Sequence, residues 1–228
     1  MPEATTYAII SAKNITVSAR KKRSAGETVC ISHDFAGPTV NLPKIKARKV
    51  VLAVNLRRIV IRILPDEPEN NESLFFTNTH VFDGEIYEND FGEKRYLLAA
   101  LPAEAADGIT KIGVALFGSI LRLERVDAIE NILFKRFVDE ADFIMFPQEE
   151  GLRVLHAENK LPKSVGSISS HPKYKYDEYL RVITQKTAGG RAVFLYDEYG
   201  DVEKWQWVIE RLKNEAGFSV EEMSLFYK

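Results

Sequence analysis

The feature that most constrains the fold is a pattern that occurs twice. Tyr7-Ala8-Ile9-Ile10-Ser11 is an apolar run, Ala12-Lys13-Asn14 a tight turn, and Ile15, Val17 and Ala19 then alternate with Thr16 and Ser18. Alternation with period two is the mark of a strand with one face buried. Residues 20–26 (RKKRSAG) form a polar hairpin tip, and 28–32 (TVCIS) closes a three-strand meander. After Asp139-Glu140 the order restarts. Residues 143–146 (FIMF) predict a strand, 147–151 (PQEEG) a turn, 152–157 a strand, Asn159-Lys160 a turn and 165–169 a third, short strand.

Each meander leads into strands alternating with helices. Val50-Val51-Leu52-Ala53-Val54 is continuously apolar, as expected of a strand covered on both faces. Residues 58–65 predict another strand, stopped by Pro65, and 66–73 (DEPENNES) an acidic surface loop. Residues 74–82 and 95–101 predict strands joined by an acidic hairpin from Asp83 to Glu93. Ala105, Ile109, Ile112, Leu116 and Ile120 recur at helical spacing over 102–118, against two glycines, Gly108 and Gly113. Residues 121–126 alternate as a strand, and Asp127 with Glu130 predicts a capped helix start. The second half continues with a helix over 174–186, a strand over 192–196, a helix over 201–215 and a strand over 218–220. The class is α/β. The order is that of two ribonuclease-H-like subdomains in a reduced actin-like arrangement with a small inserted subdomain. The first subdomain is placed at 1–140, with the insertion at about 57–125, and the second at 141–228.

Composition narrows the function. The chain has 228 residues, with 31 Lys+Arg against 33 Asp+Glu and a formal net charge of -2. It carries no overall basic field of the kind a nucleic-acid binder uses, so no nucleic-acid partner is expected. One cysteine, Cys30, excludes a disulfide framework and a multi-cysteine metal site and points to a reducing, cytoplasmic compartment. The start, MPEATT, is neither basic nor apolar, so no signal peptide is expected, and no apolar run approaches a membrane span. The ending, Leu225-Phe226-Tyr227-Lys228, is compatible with a span beyond it in a longer protein. The basic tip 20–23 fits a solvated hairpin better than a phosphate or acidic-lipid contact.

Three segments carry a family resemblance. Tyr96-Leu97-Leu98-Ala99-Ala100-Leu101-Pro102 before a helix, Ile120 to Phe137 with Arg125-Val126-Asp127-Ala128-Ile129-Glu130-Asn131, and Val50 to Pro65 together resemble the actin-like, FtsA/PilM-type proteins of bacterial envelope machines. Within these, the chain is similar to the assembly scaffold of type IV pili and to the cytoplasmic domain of the type II secretion L component. The resemblance implies a nucleotide site of three turns, which can be compared residue by residue. In the first turn Ile10 stands where the metal-positioning acid belongs and Ala12 where a glycine does. In the second, Phe146-Pro147-Gln148-Glu149-Glu150 offers a proline without an amide and two repelling acids. In the third, Tyr196-Asp197-Glu198-Tyr199-Gly200 is acidic and bulky. Lys13 is a cation within reach of a phosphate there, but one cation does not replace the amides and the metal ligand.

The expectation is therefore a protein that is not an enzyme, without cofactor, catalytic residues or metal. It would be a cytoplasmic scaffold, peripheral to the inner membrane, in a type IV pilus or type II secretion-like assembly. Its partners would be proteins, such as an assembly ATPase and an inner-membrane component, and a homodimer is among the arrangements allowed. The alternatives are an ATP-binding member of the same family and a metal-dependent enzyme on a ribonuclease-H-like sheet. The latter would draw on His80, Asp83, Glu85, Glu88, Asp90 and Glu93, but the first strand supplies no carboxylate. His33, His80, His156 and His171 lack metal-ligand spacing, Gly189-Gly190 is not followed by a helix, and Cys30 lies mid-strand. Tyr174, Tyr176 and Tyr179 crowd one helix entry, as core and rim or as part of a partner surface. On the last long helix Val202, Trp205, Val208, Ile209 and Leu212 gather on one stripe. Trp207 falls opposite it, with Glu203 and Arg211 nearby. Trp207 either marks a partner surface or lies beneath residues 223–227.

Overall fold

The computed structural model describes residues 5–19, 28–56, 59–65, 84–93, 95–148, 151–169, 183, 189–196 and 203–224. The chain forms two compact units, Met1–Ile132 and Leu133–Lys228, which part inside a helix, ahead of the 140/141 join suggested by sequence.

In the first unit, strands β1 (Thr5–Ser11), β2 (Asn14–Ala19), β3 (Thr28–Ser32), β4 (Lys49–Asn55) and β8 (Leu123–Ala128) form a sheet in the order β3-β2-β1-β4-β8. The meander is antiparallel, whereas β4 runs parallel to both β1 and β8. An inner parallel strand is covered on both faces, which is why Val50 to Val54 reads as an unbroken apolar run. Between β4 and β8 the chain inserts a second sheet, with β7 (Tyr96–Pro102) between β5 (Val60–Leu64) and β6 (Gly84–Asp90). Helix α1 (Ala103–Phe117) then returns to the main core. Its Ala105, Ile109, Ile112 and Leu116 bury with Ala8, Ile10, Leu52 and Val54. The inserted sheet thus ends at Pro102. Gly113 is what lets α1 approach: a Cβ there would stand 3.0 Å from Leu123 Cδ1 and 3.1 Å from Leu52 Cδ1. Gly118, left-handed at φ 79°, ends the helix by donating its N–H to the Val114 carbonyl at 2.8 Å.

The second unit repeats the plan. Strands β9 (Phe143–Gln148), β10 (Gly151–Glu158), β11 (Leu161–Ser169), β12 (Arg191–Tyr196) and β13 (Ser219–Ser224) lie in the order β11-β10-β9-β12-β13. Helix α3 (Gln206–Glu215), preceded by a 3-10 turn at Glu203–Trp205, covers one face with Trp205, Val208, Ile209 and Leu212. Those four residues are the stripe expected from helical spacing; Val202 lies outside the described residues. Ile9, Ile144 and Val193 are buried, as their strand positions predict.

Four expectations need correction. Residues 84–90 are not part of a connecting hairpin but a strand, β6, paired along its length with β7. Its acids Glu85, Glu88 and Asp90 are exposed on a sheet edge, where charge is ordinary and guards against further pairing. Asp127 does not open a capped helix. It lies in β8 opposite Ala53, its carboxylate takes the Ala128 N–H, and α2 (Ile129–Phe137) starts after it with Glu130 wholly buried. Pro147 is not in a turn: it pairs with Leu152 in the β9–β10 ladder. The proline is tolerated because β12 pairs with β9 only at residues 143–145, so no donor is required of it. Strand β11 starts at Leu161, four residues early, because Pro162 sits on an edge strand opposite a register shift at His156/Ala157. The basic tip 20–26, residues 66–83 and 197–200, and all of the 174–186 helix but the buried Ile183 lie outside the described residues.

Candidate functional site

Two of the three turns implied by the family resemblance can be followed. At the first, Ile10 pairs with Ile15 and is buried in the core, so the position expected of an acid is filled by a packed aliphatic side chain. Ala12 also packs on this core. The turn carbonyls are used from outside: Phe35 N–H donates to Ala12 O at 2.8 Å and His33 N–H to Lys13 O at 3.0 Å. The Phe35 ring lies against Gly108 of α1, where a Cβ would be 2.9 Å from its Cζ. The chain after β3 therefore ties the first turn to the helix, and Lys13 stays exposed. At the second turn Phe146 is buried and Gln148 pairs with Gly151, while Glu149 and Glu150 lie outside the described residues. The third turn, beyond Tyr196, lies outside the described residues.

A buried polar cluster joins the inserted sheet to the main sheet of the first unit. Asp127 Oδ2 accepts from Asn89 Nδ2 at 3.1 Å, from Arg125 Nε at 3.0 Å and from Arg125 Nη2. Its Oδ1 accepts from Asn131 Nδ2 at 2.7 Å and from Ala128 N–H at 2.8 Å. Arg125 Nη2 also donates to Asn89 Oδ1 at 2.8 Å, and Asn131 Nδ2 reaches the Tyr87 carbonyl at 3.4 Å. Asn89, Asp127 and Asn131 are buried. At the rim Tyr87 donates to Glu85 at 2.8 Å. Burial raises the Tyr87 phenol well above its usual range, and its hydrogen bond to Glu85 and the charges of Glu85 and Asp127 add to this.

This arrangement holds elements together more readily than it binds a ligand. Five donors saturate the Asp127 carboxylate and a guanidinium lies against it, so it offers no lone pair to a cation. Sequence reading places Arg125 on a strand and Asp127 at a helix entry. It misses their partners Asn89 and Tyr87, which sit in a stretch that reads as a hairpin. Among the described residues no group of three His, Cys, Asp or Glu side chains could hold a metal. His80 and Asp83 are outside them.

The expected partner-surface residues lie on and beside α3. Trp207 is 37% exposed, while its neighbours Trp205 and Val208 are buried. Glu203 is exposed, and Arg211 pairs with Glu215 at 2.7 Å, four residues along the helix. Lys204 Nζ lies 5.6 Å from the Trp205 ring, a cation over an indole face.

Neither a family model nor a curated protein matches this sequence. Solved structures do match the fold. A Bacteroides thetaiotaomicron protein with an actin-like ATPase fold and unknown function superposes with a TM-score of 0.62 at 8% identity, covering 97% of this chain and 90% of its own. A PilM–PilN type IV pilus biogenesis complex gives a TM-score of 0.60 at 12% identity over 96% of this chain and 87% of the other. The cytoplasmic domain of EpsL, an inner membrane component of the Vibrio cholerae type II secretion system, gives 0.54 at 8% identity over 85% and 81%. The fold is actin-like, as the order of elements and the family resemblance imply.

Proposed function

We propose that this chain is a non-catalytic scaffold of a type IV pilus or type II secretion-like assembly. It holds a protein partner, such as an assembly ATPase, near an inner-membrane component on the cytoplasmic side. Two lines support this reading. Likeness of fold to the PilM–PilN complex and to cytoplasmic EpsL supports the choice of system. The first two turns support the non-catalytic part of the reading, and the second carries most weight. There Pro147, paired in the strand ladder, has no amide to donate to a phosphate, and the sequence next to it adds two acids, Glu149 and Glu150. No helix among the described residues is long and apolar enough to cross a membrane.

We assign the partner surface to the outer side of α3, with Trp207 at its centre and Glu203 and Arg211 beside it. Aromatic residues set among charges are characteristic of interface centres. Calorimetry with Mg-ATP tests the non-catalytic half of the reading. No heat of binding at micromolar nucleotide is expected; a micromolar dissociation constant would transfer the chain to the ATP-binding members of this fold.

A further inference from the structure

The C-terminal end of α1 carries the most exposed large apolar side chains of the described chain, within a collar of cations. After Gly118, a 3-10 turn at Ile120–Arg122 leaves Leu121 92% and Ile120 55% exposed. Ser119 Oγ accepts the Leu121 N–H at 3.2 Å and so fixes this turn. A second 3-10 turn, Thr39–Asn41, leaves Val40 88% exposed in the strap that runs along α1 towards β4. Both segments fasten to adjacent carbonyls at the helix end: Ile45 N–H to Leu116 O at 2.7 Å, and Arg122 Nη1 to Phe117 O at 2.7 Å. Val114, one turn back on α1, is exposed as well.

The strap is extended around Ile45, and this sets the charge. Ile45 and Ala47 turn inward onto the core, so Lys44, Lys46 and Arg48 point outward. Lys111 lies on the exposed side of α1, one turn before Val114. Among the described residues Lys44, Lys46 and Lys111 make no ion pair. Among the described residues the acids along the strap and α1 are Glu124, which pairs with Lys49 at 3.2 Å, and Asp34, Glu104 and Asp107, which lie towards the other end of α1. The helix end is therefore locally cationic although the whole chain has a net charge of -2.

We propose that this corner docks on an anionic lipid surface. Single aliphatic side chains at the tips of two short turns form protrusions rather than a groove. Protrusions suit a deformable acyl–headgroup boundary better than a shape-matched protein pocket, and a lysine collar complements anionic headgroups. The inference does not depend on the nucleotide reading and adds a direct membrane contact to the partner-mediated one.

Sedimentation of the full chain with vesicles tests it. Retention is expected on vesicles containing phosphatidylglycerol at low salt, lost in high salt and absent on phosphatidylcholine alone. Each cation near such a surface is worth roughly fivefold in partitioning, so Lys44→Gln with Lys46→Gln should lower it on the order of 25-fold. Leu121→Ser should lower it severalfold, with no change in melting temperature for any of these variants. Leu121→Trp should show a blue-shifted indole emission on the anionic vesicles. Equal retention on both vesicle types, no retention on either, or retention unmoved by these substitutions would overturn the proposal. So would a chain that ignores vesicles but binds an acidic peptide through Leu121 and Lys44.

Discussion

Asp127 shows how one residue can join two sheets. Its carboxylate accepts from β6, β8 and α2 at once, and its nearest side-chain charge, Arg125, is half-exposed. Asp127→Ala would leave the Asn89 amide and the Ala128 N–H without this acceptor and the Asn131 amide with only its 3.4 Å contact to the Tyr87 carbonyl. Removing one partner of a buried pair typically costs about 3–5 kcal/mol, and the exposure of Arg125 places the expected loss at the lower end. Urea unfolding would measure it; a loss under about 1 kcal/mol would mean that water replaces the carboxylate. Asn89→Ala, which removes one neutral donor, should cost less, about 1–2 kcal/mol. Tyr87 makes a separate prediction about pH. Its folded pKa is raised, so the folded state keeps the phenolic proton when the unfolded chain loses it, near pH 10. Stability from this group is complete below that pH and falls as pH rises above it. Denaturation midpoints between pH 9 and 11 should therefore fall more steeply for the native chain than for Tyr87→Phe.

At the scale of elements, sequence was informative wherever one principle acted alone. The apolar run of β4 and the three-and-four spacing of α1 each have a single physical cause, burial on two faces or on one stripe, and both are where the sequence puts them. Reading failed where a distant partner decided the outcome. The acids of β6 suggest a loop until β7 pairs with them, and Pro147 suggests a turn although the pairing of β9 with β12 ends at Met145, before the proline. The Asp127 cluster was illegible for the same reason, since Asn89 lies 38 residues away and marks nothing by itself. Gly113 illustrates how a residue can count against an element locally and serve it globally. It lowers helix propensity, yet it admits the Leu52 and Leu123 side chains. Gly113→Ala should be nearly neutral, because a propensity gain of about 1 kcal/mol is offset by the push on two leucine methyls. Gly113→Leu overfills the same space and should cost about 1–3 kcal/mol by thermal or urea unfolding. Ile144→Ala, at a fully buried strand position, should cost about 2–4 kcal/mol; a loss below half of one would contradict its burial.

Across the whole molecule one plan appears twice: a three-strand meander, an inner parallel strand, a helix and a last parallel strand. Both crossover helices end ahead of a left-handed glycine, Gly118 at φ 79° and Gly217 at φ 65°, so the repeat extends to the way each helix stops. The copies diverge beyond the inner strand. After β4 the first unit inserts a sheet, whereas in the second α3 lies only a short stretch of chain beyond β12. The outer side of α3 is where the partner surface is assigned, and Trp207 tests that assignment. Its indole is 37% exposed beside a stripe that is fully committed to the core. A substitution outside the core should change stability by no more than about half a kcal/mol. Trp207→Ala should therefore leave the melting temperature nearly unchanged while weakening self-association in sedimentation velocity, or capture of an assembly ATPase or inner-membrane partner by the immobilised chain. Glu203→Lys and Arg211→Glu should weaken the same association, with Arg211→Glu also removing the Glu215 pair, an exposed i,i+4 contact worth about 0.3–0.5 kcal/mol. If Trp207→Ala instead collapses the melting temperature and leaves association intact, the indole is a core residue and the partner surface lies elsewhere.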